Sequence, residues 1–440
     1  MITATANPKE DSCDVLVVGG GPAGSTIAAL LAERGHQVVL LEKDRHPRFH
    51  IGESLLPFNL PLLDRLGVTE QIAGIGMLKY GIEFVSPWHE KFVAFDFANA
   101  WDKDFPFAYQ VRRSEFDHAL LKNAISKGAT VVEGCKVTGV DFRPDNSVRA
   151  IAITEQGQET SWKAKFFVDA SGRDTLLANH FGIKRRNPKH NSAAMFGHFT
   201  GAKRLPGKSE GNISVFWFEY GWFWFIPLRD GATSVGAVCW PHYLKSRKTD
   251  LTDFFMETIR TCPVLADRLK DAKLSAPVTA TGNYSYRATR MSGPGYIMLG
   301  DAFAFIDPVF STGVYIAMSS AFLGADAVDL FLRDPSRSRT AFRHFEIEIR
   351  RVLNSFSWFI YRFTTPTLRE LLMGPRNFLR VEEAVLSLLA GDVFRETPIR
   401  SRLMFFKSLY YVSFMANLKK SYVTWKKHKN DIRLPMNEST

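Results

Sequence analysis

Residues 13–42, CDVLVVGGGPAGSTIAALLAERGHQVVLLE, decide the fold of this chain. The apolar run that ends at Val18 predicts a buried strand, the glycines that follow predict a tight turn, and the next residues predict a helix to about Glu33. A second apolar run at residues 37–42 predicts a parallel strand beside the first. This order of strand, turn, helix and strand is the βαβ unit in which a glycine-rich turn binds a dinucleotide.

The turn carries the pattern GxGxxG at Gly19, Gly21 and Gly24. Glycines allow the backbone to approach a pyrophosphate, which then lies against the N–H groups at the start of the helix. Glu42 ends the second strand, where a carboxylate accepts hydrogen bonds from both hydroxyls of a ribose that lacks a 2′-phosphate. A lone GxGxxG is a weak signal, but together with the strands, the helix and the acid it predicts FAD or NAD.

Three later segments favour FAD. Gly300-Asp301 follows a predicted buried strand at 296–299, and residues 308–314 open the next helix, where they would lie beneath a flavin ring. The Asp301 carboxylate can accept a ribityl hydroxyl, although by itself it would also fit a helix cap. Residues 169–173, DASGR, form a strand-end turn typical of flavin monooxygenases. Because only one complete dinucleotide fingerprint is present, no built-in NAD(P)H domain is indicated.

Residues 221–227, GWFWFIP, alternate in a way that predicts a strand with Trp222 and Trp224 on one face and Phe223 and Phe225 on the other. Taken alone, this segment fits an aromatic strand of an ordinary core. In a flavoprotein the same segment can cover the isoalloxazine ring and so decide what an activated oxygen reaches.

The composition is that of a globular protein of two or three domains, or of one large α/β domain with an inserted layer: 440 residues, 45% apolar and 23% charged. The four cysteines form no CxxC pair, which argues against a zinc site or a disulfide framework and fits a reducing cytoplasm. Residues 1–12 are polar and do not resemble a signal peptide. We therefore expect a cytoplasmic protein without a bound metal.

The carboxy-terminal region holds most of the excess positive charge. Residues 341–440 contain 17 Lys and Arg against 9 Asp and Glu, a net charge of +8, interleaved with aromatics such as Trp358, Tyr411 and Trp425. Such a surface could make a peripheral membrane contact or meet an acidic protein, or it could be a helical cap with solvated lysines. No nucleic-acid-binding module is recognisable, so we expect no nucleic-acid partner.

The pattern along the chain predicts an α/β fold built from four segments. Residues 1–190 would form a FAD-binding domain with β insertions, and residues 191–290 an inserted antiparallel sheet that serves as the substrate layer. Residues 291–335 would return to the FAD-binding domain, and residues 336–440 would form a helical, basic region. Within the first segment, 160–164 and 166–170 are predicted as two separate strands.

Over roughly residues 12–400 the chain resembles the flavin-dependent halogenases, and among them the group that acts on phenols and pyrroles rather than on tryptophan. Residues 222–227, WFWFIP, match the WxWxIP motif of that family in full. Lys79, within MLKYG, stands where the family has its essential lysine, and IGES at 51–54 matches the loop after its second strand. DPVFSTGV at 307–314 matches its halide and flavin loop.

The resemblance implies a Rossmann-like FAD-binding domain similar to that of p-hydroxybenzoate hydroxylase, and it gives roles to individual residues. It implies that Lys79 is catalytic and that the backbone amides of Thr312 and Gly313 bind the halide. The residues that would separate flavin from substrate are Trp222, Trp224, Ile226 and Pro227. The expected cofactor contacts, from the pattern and the resemblance together, are Gly19, Gly20, Gly21, Ala23, Gly24, Glu42, Glu53, Arg113, Asp301 and Val314.

In that family, reduced FAD, O2 and chloride or bromide give hypohalous acid at the flavin. The resemblance implies that Lys79 receives this oxidant, as a haloamine or by hydrogen bonding to it, and delivers the halogen to an electron-rich ring. The tryptophan strand would keep the organic substrate off the flavin and so prevent ordinary hydroxylation. A separate NAD(P)H-dependent flavin reductase would supply the reduced FAD.

One position departs from the tryptophan halogenases, which have a glutamate where this chain has Phe310. Without that carboxylate, the substrate should already have an electron-rich ring, as a phenol or a pyrrole does. Related halogenases often act on aryl groups tethered to acidic acyl carrier proteins, and a basic carboxy-terminal surface would steer such a partner. The alternatives are a flavin-dependent prenyl or polyene reductase, an aromatic hydroxylase and, ranked last, a non-catalytic flavoprotein scaffold.

Overall fold

A computed structural model describes residues 10–145, 147–282, 284–395, 397–416 and 426. The strands are β1 Glu10–Val18, β2 Val38–Glu42, β3 Met77–Lys79, β4 Gly81–Ser86, β5 Lys91–Asp96, β6 Ala108–Gln110, β7 Thr130–Glu133, β8 Cys135–Phe142, β9 Val148–Thr154, β10 Glu159–Asp169, β11 Lys184–Arg186, β12 Ala193–Thr200, β13 Ile213–Phe218, β14 Gly221–Pro227, β15 Ala232–Cys239, β16 Lys273–Leu274, β17 Thr279–Gly282, β18 Tyr286–Ala288, β19 Ser292–Gly293, β20 Tyr296–Met298 and β21 Ala304–Phe305. The helices are α1 Pro22–Glu33, α2 Leu60–Leu66, α3 Thr69–Ile75, α4 Arg113–Ser126, α5 Leu176–His180, α6 Pro241–Lys245, α7 Leu251–Arg260, α8 Pro263–Arg268, α9 Thr312–Arg333, α10 Pro335–Ile360, α11 Pro366–Met373, α12 Val381–Ala390 and α13 Ile399–Ala416.

The predicted βαβ unit is present and forms the centre of the first sheet, whose strand order is β19-β20-β10-β1-β2-β7. β1 pairs in parallel with β2 on one side and with β10 on the other. The prediction of two strands at 160–164 and 166–170 is wrong, because β10 is continuous. Lys165, between the two predicted strands, points outward and pairs with Asp14 at 2.8 Å (Nζ to Oδ1), so the alternation of the strand is preserved.

Helices α1 and α9 pack together against this sheet. α9 is the one helix of the described chain that is long and apolar enough to cross a membrane, but 61% of its apolar window is buried inside the protein. That burial is typical of a core helix. It places the first turn of α9 under the carboxyl ends of the parallel strands, where α/β sheets bind their ligands.

Most strands within residues 191–290, the range predicted as an inserted layer, lie in a second sheet, with the order β16-β12-β15-β14-β13-β4-β5 and with β17 on β12. It is antiparallel except where β13 runs parallel to β4, with Ile213 opposite Ile82. β4 and β5 belong to residues that the sequence had assigned to the FAD-binding segment, and their pairing extends the layer beyond the predicted boundary. Local periodicity cannot indicate such a pairing, because it joins residues far apart in sequence.

β14 has the two faces that its alternation predicts. Trp222 and Trp224 pack into the large core shared with the first sheet, whereas Phe223 and Phe225 pack into a smaller core with the helices α7 and α8. Trp224 lies opposite Gly236 of β15, and a Cβ atom at that position would overlap its indole ring. The glycine therefore lets the tryptophan lie flat across the neighbouring strand.

The carboxy-terminal region is helical, as predicted, through Ala416, whereas Trp425 and the other residues after 416 apart from 426 lie outside the described residues. It is more than a solvated cap, because the buried face of α10 includes Phe356 and Phe359. Phe363, which follows α10, accepts a hydrogen bond on its carbonyl from Trp217 Nε1 at 3.2 Å. This region thus reaches the second sheet.

The four cysteines, Cys13, Cys135, Cys239 and Cys262, are all free and buried. Burial raises the pKa of each thiol, to about 12 for Cys13 and Cys239. Within the described residues, no group of three or more His, Cys, Asp or Glu side chains is placed to hold a metal ion.

Replacing Gly236 with alanine should displace the Trp224 indole. We expect Gly236→Ala to lower the free energy of unfolding by about 1–3 kcal/mol, as overpacking of a filled core does. Urea denaturation followed by tryptophan fluorescence measures the loss. Gly139→Ala is the matched control, because it also changes a strand glycine but its Cβ would meet only Ile151 at 3.9 Å. Equal midpoints for the two variants would contradict the proposed packing constraint.

Candidate active site

A cavity of about 670 Å³ lies between the carboxyl ends of the first sheet and the tryptophan face of the second. It brings together four segments that are distant in sequence: the glycine turn, residues 48–54, β14 and the loop before α9. The predicted site residues that line it are Gly19, Gly21, Ala23, Glu42, Glu53, Arg113, Trp222, Trp224, Ile226, Asp301, Gly313 and Val314. The predicted residues outside its lining are Gly20, Gly24, Lys79, Pro227 and Thr312.

The glycine turn is shaped for a close approach by a phosphate. Gly19 has φ +103°, and a Cβ atom there would overlap the carbonyl of Ala170. A Cβ atom at Gly24 would overlap the carbonyl of Gly19, so only glycine allows α1 to begin this close to β1. Gly20 and Gly24 therefore act by shaping the turn, which leaves the first N–H groups of α1 facing the cavity for an anion.

Two carboxylates, Glu42 and Asp301, line the cavity and can accept hydrogen bonds from hydroxyl groups. Glu42 is anchored, because its Oε2 accepts from Gly20 N at 2.5 Å and its Oε1 accepts from Asp44 N at 2.9 Å. Its remaining lone pairs face the cavity and can accept hydroxyl protons. Asp301 also lines the cavity, and burial raises the pKa of its carboxyl to about 6. The cavity, the glycine turn and these acids together fit FAD.

The loop at residues 51–54 is held from two sides. Arg113 forms a two-point ion pair with Asp117, at 2.7 and 3.0 Å, and donates from Nη1 to the carbonyl of Ile51 at 2.9 Å. On the other side, Glu53 Oε1 contacts Nε2 of His198 on β12 at 2.8 Å. The other Glu53 oxygen is buried and has no hydrogen-bond partner among the described residues. It can therefore accept a hydrogen bond from a ligand in the cavity.

Lys79 ends β3 and is fully buried. Its Nζ donates to Ser54 Oγ and to the carbonyl of Leu55, both at 3.0 Å, and lies 5.3 Å from the centre of the Phe97 ring. Burial lowers the pKa of the amine from 10.5 to about 7. Because Ser54 lines the cavity, the amine stands one hydrogen bond behind the cavity wall. A lysine with a lowered pKa has a neutral, nucleophilic fraction near neutral pH.

The tryptophans of β14 form a fixed wall of the cavity. Their ring centres are 6.1 Å apart, and Trp224 Nε1 donates to Ser234 Oγ at 3.1 Å. Ile226 continues the wall, but Pro227 lies beyond it. With its N–H already bonded, Trp224 presents mainly apolar surface to the cavity.

The loop before α9 leads directly into the first turn of the helix. A short helical turn at Pro308–Phe310 is followed by Ser311 in the left-handed region, with φ +55°, and α9 then begins at Thr312. Ser311 does not cap the helix through its side chain, so the amides of the first turn stay available. Thr312 and Gly313 line a second, smaller cavity of about 20 Å³, which has room for about one water-sized particle. Gly313 lines both cavities.

Two features of the site had no signal in the sequence. His190 Nε2 lies 2.7 Å from Oδ2 of Asp307, although 117 positions separate the two residues. Phe363 packs edge-on against Phe310, with ring centres 5.5 Å apart, and also against Trp222 at 6.0 Å. Asp307 lay within a recognised motif but without a role, whereas His190 and Phe363 lay in none.

Comparisons with known proteins agree with this geometry. The family model described as tryptophan halogenase matches residues 14–103 and 88–370. A tryptophan 2-halogenase of Chondromyces crocatus is 38% identical over 324 residues, which are 72% of this chain but 61% of that protein. The 1H-pyrrole-2-carbonyl-[peptidyl-carrier protein] chlorinase of Pseudomonas fluorescens is 30% identical over 408 residues, covering 87% of this chain and 89% of the relative.

Among solved structures, the myxobacterial chondrochloren halogenase CndH, described as a new variant of FAD-dependent halogenases, has a TM-score of 0.77 and 33% identity. The match covers 92% of this chain and 97% of that one. On these grounds the chain belongs to the tryptophan halogenase family, whose members are FAD-dependent halogenases.

Proposed function

We propose that this protein uses reduced FAD and O2 to convert chloride or bromide into hypohalous acid, and that Lys79 delivers the halogen to an electron-rich phenol or pyrrole. The observation that carries the proposal is the position of the Lys79 amine, buried one hydrogen bond behind the wall of the cavity that fits FAD. A prenyl or polyene reductase or an aromatic hydroxylase would have no use for a buried amine at this place.

The residues around the cavity divide the work. When bound in its reduced form, FAD would supply the two electrons that bring O2 to the oxidation level of peroxide, which would oxidise the halide to hypohalous acid with release of water. The first amides of α9, at Thr312 and Gly313, would hold the halide, because the positive end of a helix attracts an anion without adding an acidic proton. Trp222 and Trp224 would exclude the arene from the flavin, since their rings occupy the wall between them.

Lys79 would then receive the oxidant. Its neutral amine can take the halogen as a haloamine, with loss of water, and its ammonium form can instead hydrogen-bond to hypohalous acid. The lowered pKa supports both routes, because each form is well populated near pH 7. The bonds to Ser54 and Leu55 would fix the direction from which the arene is approached.

The surroundings of Phe310 support an arene that is already activated. The residue is buried against Phe359 and Phe363, so apolar rings occupy the place of the carboxylate found in tryptophan halogenases. The Pseudomonas relative, by its name, chlorinates a pyrrole held on a carrier protein, and the net charge of +8 on residues 341–440 would favour such an acidic partner here.

Two further partners follow from the same proposal. A separate flavin reductase would supply reduced FAD, since the chain shows one dinucleotide site. Exposed Met404, Val412 and Met415 on α13 could add a peripheral membrane contact, which a vesicle-flotation assay with anionic lipid would detect. Free, buried cysteines fit the reducing cytoplasm in which we place the protein.

The reaction is tested with purified protein, FAD, a flavin reductase, NADH, bromide or chloride, and a panel of phenols and pyrroles. We expect a halide-dependent gain of one halogen in mass. Free and carrier-tethered forms of one arene should be compared, and tethering should raise turnover. Equal turnover would exclude the carrier requirement. A hydroxylated product formed without halide would indicate a hydroxylase, and a reduced double bond would indicate a reductase; either result would contradict the proposed halogenation.

Changing Lys79 to alanine should separate oxidant formation from its use. We expect Lys79→Ala to lower arene halogenation by about 100-fold or more, the scale on which a positioned catalytic group acts. Consumption of reduced flavin and halogenation of a diffusible β-diketone trap should persist. Lys208→Ala is the control, because Lys208 lies over the neighbouring Tyr80 ring at 4.4 Å but is exposed. Normal arene halogenation by Lys79→Ala would overturn the role of this residue.

The buried amine also predicts a dependence of stability on pH. Its pKa is near 7 when folded and 10.5 in the ordinary state, so between these values the unfolded chain binds a proton that the folded protein lacks. The wild type should therefore gain stability relative to Lys79→Met as pH rises through this window. Melting temperatures at pH 6 and pH 9 measure the difference. A difference that does not change with pH would show that the amine is not desolvated.

A further inference from the structure

Asp307 connects two segments beside the proposed halide site. Its Oδ1 accepts from Val309 N at 3.0 Å and so fixes the turn that leads into α9. Its Oδ2 lies 2.7 Å from His190 Nε2 and accepts from Ser192 Oγ at 3.3 Å. His190 and Ser192 precede β12, and all three side chains are buried. The loop before α9 is thus tied to the second sheet through one carboxylate.

The place of this carboxylate creates an electrostatic problem. Asp307 lines the same small cavity as Thr312 and Gly313, together with apolar residues such as Phe305 and Ile316. A carboxylate beside an anion in a poorly solvated cavity is repulsive, because little water screens the two charges. The three donors on Asp307 disperse its charge, and among them only the His190 ring can carry a full positive charge.

The groups around His190 are mainly aromatic, and a further cation, Arg173, lies 5.7 Å from the centre of the nearby Tyr284 ring. Tyr361 lies beside the ring, with ring centres 6.2 Å apart. Tyr284 is close to the cluster, and burial, with a smaller contribution from the Asp307 charge, raises the pKa of its hydroxyl well above the ordinary value. His190 Nδ1 is buried and has no hydrogen-bond partner among the described residues. A buried nitrogen without a partner lowers stability unless water or another group satisfies it.

We propose that His190, Ser192 and Asp307 form a positioning cluster that sets the halide affinity of the site at the start of α9. This inference rests on the proposed halogenase function. Asp307 orients the turn at Pro308–Phe310 and thereby the amides of Thr312 and Gly313. The donors from His190, Ser192 and Val309 stabilise the Asp307 charge so that a halide can occupy the adjacent cavity.

The test measures bromide dependence with and without turnover. The first readout is the bromide KM for arene halogenation. The second is the bromide-induced rise in melting temperature of the FAD-loaded protein without arene, with acetate holding the ionic strength constant. Removing the compensating ring by His190→Leu should weaken bromide binding in both readouts by about tenfold, the scale of a lost hydrogen bond to a charged group. kcat at saturating bromide should stay within about threefold.

A second substitution distinguishes charge compensation from structural damage. Adding Asp307→Asn to His190→Leu removes the uncompensated charge, so the double variant should return to within about threefold of the wild-type bromide affinity. A merely structural cluster would be damaged further by the second change. His190→Gln keeps a donor at the ring position and should give a smaller loss, which keeps the test available if the leucine variant folds poorly.

His36→Leu is the matched control, because His36 Nε2 lies 2.6 Å from Asp329 Oδ1 near the other end of α9. It should leave bromide binding unchanged. An equal loss in this control, or no recovery in the double variant, would overturn the inference. If no arene is halogenated but the melting-temperature readout follows the variants, the proposed function fails and the cluster stands. If halogenation proceeds and His190→Leu changes neither readout, the cluster fails alone.

Discussion

The hydrogen bonds from Lys79 Nζ to Ser54 and Leu55 are the interactions on which the organisation of the site depends. Burying a lysine ammonium with few partners is unfavourable by several kcal/mol unless the group gives up its proton. The Lys79 amine is buried where β3, next to the second sheet, meets the loop that follows β2. Arg113 and His198 hold the same loop at Ile51 and Glu53. One loop therefore joins the cofactor cleft to the buried amine.

Features of the fold that depend on neighbouring residues could be predicted from the sequence, whereas contacts between residues far apart in the chain could not. The βαβ unit and the two faces of β14 were predictable, because the pattern of consecutive residues determines both. The continuity of β10 was missed because its first half is largely polar, TSWKAK at 160–165, and only the residues that follow form an apolar run. The pairs His198–Glu53 and His190–Asp307 join residues 145 and 117 positions apart, and only tertiary packing brings them together. The recruitment of β4 and β5 into the second sheet has the same cause.

The two ends of the chain contribute differently to the chemistry. The amino-terminal half supplies the cofactor turn, Lys79 and the loop that holds it, and the comparisons place these in an established family. The carboxy-terminal helices supply Phe363, whose ring meets Phe310 and Trp222 and whose carbonyl binds Trp217. We infer that cofactor binding and halogen delivery by Lys79 depend on the first group, whereas the fit of the arene depends on the second. Differences among relatives in which arene they accept should therefore concentrate in the carboxy-terminal helices.

The cysteines have a consequence for how long such a catalyst survives. Electrophilic oxidants attack the thiolate rather than the thiol, and burial raises the pKa of all four thiols here. Cys135 borders the large cavity, whereas Cys13, Cys239 and Cys262 lie outside its lining. A protein that releases hypohalous acid inside its own walls would thus keep its most oxidisable atoms in their least reactive form. Self-inactivation would then begin elsewhere, at exposed methionines such as Met404 and Met415 on α13.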